Sequence, residues 1–133
     1  MSDQPLVSII MNCYNGEKYL NKAIDSIISQ TYKNWEIIFW DNRSTDKTFK
    51  IFNEYKNKDA RLKYFLAPKH SSILYEARNY ALKEAKANFI AFLDADDWWL
   101  PTKLEKQIPL FEDSQVGLVY GNCYIFFEKK NKK

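Results

Sequence analysis

Glycine is scarce in this chain: Gly16, Gly117 and Gly121 are the only three in 133 residues. A backbone cradle for phosphate needs several glycines at fixed offsets. A P-loop and a G-x-G-x-x-G dinucleotide fingerprint are therefore both excluded. Cysteine and histidine are scarcer still, with Cys13, Cys123 and His70 the full complement. Zinc sites built on clustered Cys and His are excluded with them. Both cysteines fall in apolar surroundings and are expected in the core. A Ser-His-Asp triad would need His70 as its base, and no Gly-x-Ser-x-Gly elbow accompanies it. Apolar runs such as Leu6–Met11 fall far short of the roughly 20 residues that span a bilayer. The opening MSDQP lacks the basic and apolar regions of a signal peptide, so a cytoplasmic protein is expected.

A strong charge is also lacking. The net charge is +3, and Lys129, Lys130, Lys132 and Lys133 more than account for it. The body is close to neutral and carries no basic footprint for nucleic acid. The tail, 129–133, reads as a solvated run, with contact to the inner membrane surface as the alternative. What the chain does have is 46% hydrophobic and 17% aromatic residues. At this length that makes one domain, residues 1–133, with a real core.

The elements alternate. Leu6–Asn12 is an apolar, β-rich run. Glu17–Gln30 carries Leu20, Ala23, Ile24, Ile27 and Ile28 at helical spacing. A second strand is predicted at Trp35–Trp40, then a helix at Thr45–Lys58 with Phe49, Phe52 and Tyr55 inward. Leu62–Leu66 is a third strand. Ser72–Lys86 is a third helix, where Ala77, Ala81 and Ala85 form a smooth row suited to lying close on a sheet. Asn88–Leu93 is a fourth strand, and its unbroken apolarity from Phe89 predicts cover on both faces. Pro101 opens a fourth helix, which Pro109 kinks or ends. Gly117–Phe127 reads as a last strand, an apolar one that invites pairing with a neighbouring chain. The sum is an α/β fold: an open, mostly parallel sheet with right-handed crossovers and flanking helices.

In such sheets ligands bind beyond the carboxyl ends of the strands. The first strand ends in Asn12, Cys13, Tyr14 and Asn15, the second in Asp41, Asn42, Arg43 and Ser44. The third ends in Lys69, His70 and Ser71, and the fourth in FLDADDWW with Asp94, Asp96 and Asp97. Taken singly, each has a plainer reading. An Asp-x-Asp is often a solvated turn, Asp41 a helix cap, Tyr14 a half-buried core residue, and Arg78 the partner of Glu76 in a surface ion pair. Their convergence on one sheet edge is what marks a site. Without glycines, a bound phosphate needs a cation, and clustered carboxylates are hard oxygen donors suited to Mg²⁺ or Mn²⁺. Arg78 and Lys69 are placed to approach the same charge.

Three stretches, VSIIMNCYNGEKYLNKAIDSIISQTYKNWEIIFWDNRSTDKT, EARNYAL and FIAFLDADDWWLPTKLEKQI, together resemble the family-2 glycosyltransferases. These are inverting nucleotide-sugar enzymes with a Rossmann-like GT-A fold. The likeness runs from Val7 to about Tyr124. It implies that Tyr14, with Asn12 and Asn15, lies against the nucleotide base. It implies that Asp41 and Asn42 bond that base, commonly uracil, and that Arg78 lies near the nucleotide. Asp94 and Asp96 match the family's Asp-x-Asp, which holds ribose and metal, and Asp97 extends it. A UDP-sugar donor and a glycan or lipid-linked acceptor are implied partners, with polysaccharide biosynthesis as the setting. Two departures stand out: the usual Asp-Asp-Gly-Ser is here Asp41-Asn42-Arg43-Ser44, and no acid after Asp97 matches the family's general base. The chain thus reads as a truncated donor-binding half, whose catalytic base is unassigned. The alternative is a module that binds a nucleoside diphosphate and transfers nothing. A phosphoacceptor receiver domain is excluded, because Asn12-Cys13 and Ala67-Pro68-Lys69 stand where it needs acids. A sugar nucleotidyltransferase is excluded by the missing glycine-rich loop.

Overall fold

Apolar residues fill successive positions of the first two strands, so both of their faces must be covered. In the computed structural model, which describes residues 4–128, β1 (Val7–Cys13) and β2 (Trp35–Asp41) are the central strands. The lysine tail at 129–133 lies outside the described residues. The remaining elements are α1 (Leu20–Ile28), α2 (Thr48–Lys56), β3 (Leu62–Leu66), α3 (Leu74–Glu84), β4 (Phe89–Phe92) and α4 (Lys103–Gln107). A 3₁₀ turn, Ile108–Glu112, follows. The sheet order is β3-β2-β1-β4, and every pairing is parallel. The register runs from Val7 opposite Trp35 to Cys13 opposite Asp41, and on the other side from Val7 opposite Phe89 to Ile10 opposite Phe92.

Alternation along the strands divides the core in two. Val7, Ile9 and Met11 join Trp35, Ile37 and Phe39 beneath α1 and α2, packed against Leu20, Ile24, Ile27 and Phe52. On the opposite face Ile10, Ile38 and Trp40 meet Ala77 and Ala81 of α3, with Ala85 at the margin. The small alanines let this helix sit close to the sheet. Trp40 stacks on Tyr80, 5.6 Å between ring centres.

The sequence-based expectations fail in five places. Gly117–Phe127 forms no strand, and its large side chains are exposed. β4 is an edge strand, and Ile90 and Phe92 are 37% and 49% exposed because α3 lies over β1 and β2 instead. Phe49 is half-exposed, its ring resting edge-on against Tyr64 rather than entering the core. Cys123 is exposed, whereas Cys13 is buried as expected. Pro101 sits in the turn before α4, which begins at Lys103. Pro109 acts as predicted: the α-helix stops at Gln107 and tightens to 3₁₀ geometry.

One buried carboxylate fastens the edge of the sheet opposite the strand ends considered below. Glu36 on β2 is 4% exposed. It accepts hydrogen bonds from the Ser8 hydroxyl at 2.7 Å, Lys63 Nζ at 2.7 Å and the Lys86 N–H at 3.0 Å. Ser8 in turn accepts the Ala87 N–H. Three strands and the turn into β4 thereby meet at one side chain. Burial alone would raise the Glu36 pKa, but the Lys63, Ser8 and Lys86 hydrogen bonds outweigh it and hold the carboxyl below its usual 4.5. A depressed folded-state pKa gives stability that is complete above the unfolded value and lost as pH falls through the folded one. Glu36→Gln should therefore cost about 2 kcal/mol at neutral pH. It should also flatten part of the fall in Tm below about pH 4.5. A variant whose Tm profile runs parallel to the parent's would assign acid sensitivity to other carboxylates.

Candidate functional site

The chain steps outward from β1 to β2 and β3, then returns to place β4 on the other side of β1. That reversal is a topological switch point, where loops leaving neighbouring carboxyl ends diverge and open a crevice. Asn12–Gly16 leave β1 on one side of it, and Asp94–Asp97 follow β4 on the other.

The loop after β1 is sewn to the loop after β2. Asn15 has φ 50°, a left-handed conformation that asparagine tolerates. Its N–H donates to Ser44 Oγ, and its Oδ1 accepts the Thr45 N–H. The Gly16 N–H donates to Thr48 Oγ1 and the Glu17 N–H to Asp46 Oδ2, while Glu17 Oε2 accepts the Lys47 N–H. The Ser-Thr-Asp-Lys-Thr run is thus a bracket for the β1 loop. Asn15 belongs to this bracket, a role its assignment to the nucleotide did not anticipate.

Asp41, at the end of β2, is 1% exposed. Its Oδ1 accepts the Ser44 N–H at 2.7 Å, and its Oδ2 accepts the Tyr64 hydroxyl at 2.6 Å. Asn42 clamps the loop after β3: its Nδ2 donates to Ser71 O at 2.6 Å, and its Oδ1 accepts the Ser71 N–H at 2.9 Å. Arg43 takes φ 65°, the left-handed region that favours glycine. Its guanidinium donates to the carbonyls of Ala67 and Pro68, which offsets that strain.

Tyr14 is half-exposed, with its ring 4.6 Å from the His70 ring. The His70 Nδ1 lies 3.0 Å from Asn42 O. Two positions before Tyr14, Nδ2 and Oδ1 of Asn12 are both buried and make no hydrogen bond among the described residues. An orphaned buried amide is rare enough to require a reason.

Across the switch point, one carboxylate oxygen from each of Asp94, Asp96 and Asp97 lies within 4.8 Å of the others. The Asp97 N–H donates to Asp94 O, closing the turn that gathers them. Burial first, and then the charges of Asp96 and Asp94, push the Asp97 carboxyl above its usual value. A cation would relieve that repulsion, and these hard oxygens on an open face fit Mg²⁺ or Mn²⁺. Arg78 on α3 donates to Asp94 Oδ1 at 3.0 Å. Its partner is therefore this acid and not Glu76, which accepts the Ser71 hydroxyl. Lys69 forms no ion pair with the acids among the described residues; it lines a small cavity with Trp40, Asn42, Ser71 and Tyr80. Residues singled out from the sequence thus form two groups, an aromatic-amide side and an acidic side. His70 and Ser71 belong to the first without having been assigned a role. Their position just after the third strand was the available signal.

Solved structures share this architecture. A structure of Staphylococcus aureus TarS 1-349 in complex with UDP aligns at TM-score 0.73 and 33% identity, covering 81% of this chain and 32% of that one. A mannosyltransferase from Pyrobaculum calidifontis, solved with GDP-Man and Mn²⁺, shares the fold at TM-score 0.67 and 24% identity, over 74% of this chain and 29% of its own. The sheet is that of the GT-A glycosyltransferases. The family model described as glycosyl transferase family 2 matches residues 8–133, and the chain belongs to that family. An Escherichia coli protein named UDP-Glc:alpha-D-GlcNAc-diphosphoundecaprenol beta-1,3-glucosyltransferase WfgD is 43% identical over 92% of this chain and 47% of its own length. A glycosyltransferase of Haemophilus influenzae is 42% identical over 90% of this chain and 48% of its own. The chain spans about half the length of these relatives.

Gly16 joins the two sides. A Cβ built there would lie 2.5 Å from Cys13 Sγ and 3.5 Å from Cβ of Ala95, the buried residue between the first two acids. The thiol has no room to retreat, and burial pushes its pKa up to about 12, so it stays a neutral packing group. Gly16→Ala should destabilise the fold by about 1–3 kcal/mol, read as a lower urea midpoint. An unchanged midpoint would show that the two loops are not packed through this residue.

Proposed function

We propose that this chain is the donor-binding part of an inverting, metal-assisted glycosyltransferase that takes a UDP-sugar and serves a glycan or lipid-linked acceptor. The observation that carries the reading is the cluster of three carboxylates after β4, together with an unpartnered Asn12 amide near the end of β1, the neighbouring strand. A nucleoside diphosphate presents a base at one end and clustered negative charge at the other, which matches the two groups of residues. The amide offers one donor and one acceptor, the complement of uracil's imide edge. Tyr14, backed by His70, supplies an aromatic wall for the base. Asp94, Asp96 and Asp97 would hold the divalent cation, which when bound stabilises the departing diphosphate. Arg78 steadies Asp94 and adds positive charge beside the phosphates. Asp41 and Asn42 shape the base side by fixing the β2 and β3 exits. The E. coli relative's name specifies UDP-Glc and a diphosphoundecaprenol acceptor, and TarS was crystallised with UDP and with UDP-GlcNAc. These names support a uridine nucleotide and a lipid-linked acceptor. No helix among the described residues is long and apolar enough to cross a membrane.

Transfer also needs a general base to deprotonate the acceptor hydroxyl. Among the later acids, Glu105 accepts from the Thr31 hydroxyl and Glu128 pairs with Lys18, so both carboxylates are engaged within the protein. The second reading, a nucleotide-diphosphate-binding module without transfer of its own, rests on this.

Calorimetric titration with UDP and GDP, each with Mn²⁺ and with EDTA, separates the contributions. Asp96→Ala should lower Mn²⁺-dependent UDP affinity at least about tenfold, some 1.4 kcal/mol, with no change in Tm. Equal affinity in that variant would remove the metal assignment. Asn12→Ala should weaken UDP binding in Mn²⁺ and in EDTA alike while leaving stability unchanged or raised, since the amide has no partner among the described residues. UDP affinity unaffected in EDTA would end its role with the base.

A further inference from the structure

Two polar side chains are buried at the end of α1, where apolar ones would pack without desolvating a hydroxyl or an amide. Ser26 is 8% exposed, and Gln30, just beyond the helix, is fully buried. What these groups add to packing is direction. Gln30 Nε2 donates to Ser26 O at 3.1 Å and to Leu100 O at 2.7 Å, and its Oε1 accepts the Leu104 N–H at 3.1 Å. The Ser26 hydroxyl donates to Ala23 O at 2.7 Å and accepts the Trp99 N–H at 3.1 Å. Four residues before Ser26, Lys22 Nζ lies 3.3 Å from the centre of the Trp98 ring. Lys22, Ser26 and Gln30 follow at intervals of four and form a polar seam that holds residues 98–104.

That seam begins where the acid cluster ends. Just before Asp94, the Leu93 N–H donates to Ile10 O at 3.1 Å and ties the chain to β1. Just after Asp97, the seam ties it to α1. The turn that carries the three acids is therefore suspended between two fixed points. Its carboxylate oxygens, gathered within 4.8 Å, repel one another. A chain released at either end would relax by letting them separate. Held at both, it keeps them together before any cation arrives.

We infer, on the metal reading of the acid cluster, that Ser26 and Gln30 are positioning residues for the divalent cation. They act through the backbone of residues 99–104, keeping the acid turn in the arrangement that a cation needs. Less ordering then accompanies binding. A fully satisfied buried network suits this task, because it rigidifies the segment it holds.

Calorimetry with UDP, in Mn²⁺ and again in EDTA, tests the inference on the parent, Ser26→Ala and Gln30→Met. The readout is the ratio of the two affinities for each protein, since the aromatic-amide side acts in both conditions and the seam does not touch it. Each variant should lower that ratio about tenfold, while UDP affinity in EDTA stays at the parent's value. Far-UV circular dichroism should not change, because Leu104 remains in the core and the Thr31 N–H still donates to Pro101 O at 2.9 Å. A purely structural role would lower Tm and leave the ratio intact at temperatures well below it. That result overturns the inference, as does an equal loss in Mn²⁺ and in EDTA. Should Gln30→Met fail to fold, Ser26→Ala decides alone. A parent that gains nothing from Mn²⁺ overturns the metal reading itself, whereas a gain that both variants keep overturns only the part given to the seam.

Discussion

Asp41 ends β2 with its side chain sealed from solvent, and a carboxyl group so placed must be met by hydrogen-bond donors or it destabilises the fold. The Ser44 N–H and the Tyr64 hydroxyl meet it. Burial and this carboxylate together keep the Tyr64 phenol protonated, its pKa pushed up. The same residue's carbonyl accepts the Ala67 N–H, and the next N–H, that of Asn42, donates to Cys13 O. Three strand exits are therefore referred to one point. From there Ser44 fixes Asn15, Asn42 fixes Ser71, and the Tyr14–His70 pair follows. The geometry of the aromatic-amide side is a consequence of satisfying one buried acid.

The acidic side obeys the opposite logic. Asp94, Asp96 and Asp97 are exposed and close together, and among the described residues only Asp94 has a cation partner. Water makes such crowding tolerable, and it leaves oxygens turned outward and available. Under the proposed reading, a cation would find these ligands without first breaking an enclosed, already satisfied network.

The sheet was legible in the sequence because its signals were redundant. β1 and β2 announced themselves by unbroken apolarity, α1 by its stripe, and α3 by its alanine row. β4 was misjudged because apolarity reports that a face wants cover, not that it has it: Ile90 and Phe92 wait at an edge. Gly117–Phe127 failed for the same reason, since strand propensity cannot create a partner. The acid cluster was readable as spacing. Arg43 was read only as a departure from the family's usual Asp-Asp-Gly-Ser pattern. The structure instead gives it a backbone reason, a left-handed turn braced by two carbonyls. The bracketing of Asn15 by Thr45 depends on contacts about thirty residues apart in the chain, which no local pattern encodes.

Because every strand runs the same way, the two ends of the sheet are chemically unlike and physically remote. The end that Glu36 ties together tolerates little alteration, while the loops at the other end hang from strand exits that are already fixed. Such a separation makes the fold evolvable. Ligand preference can drift through substitutions in the exit loops while the load of keeping the chain folded rests on residues that never meet a ligand.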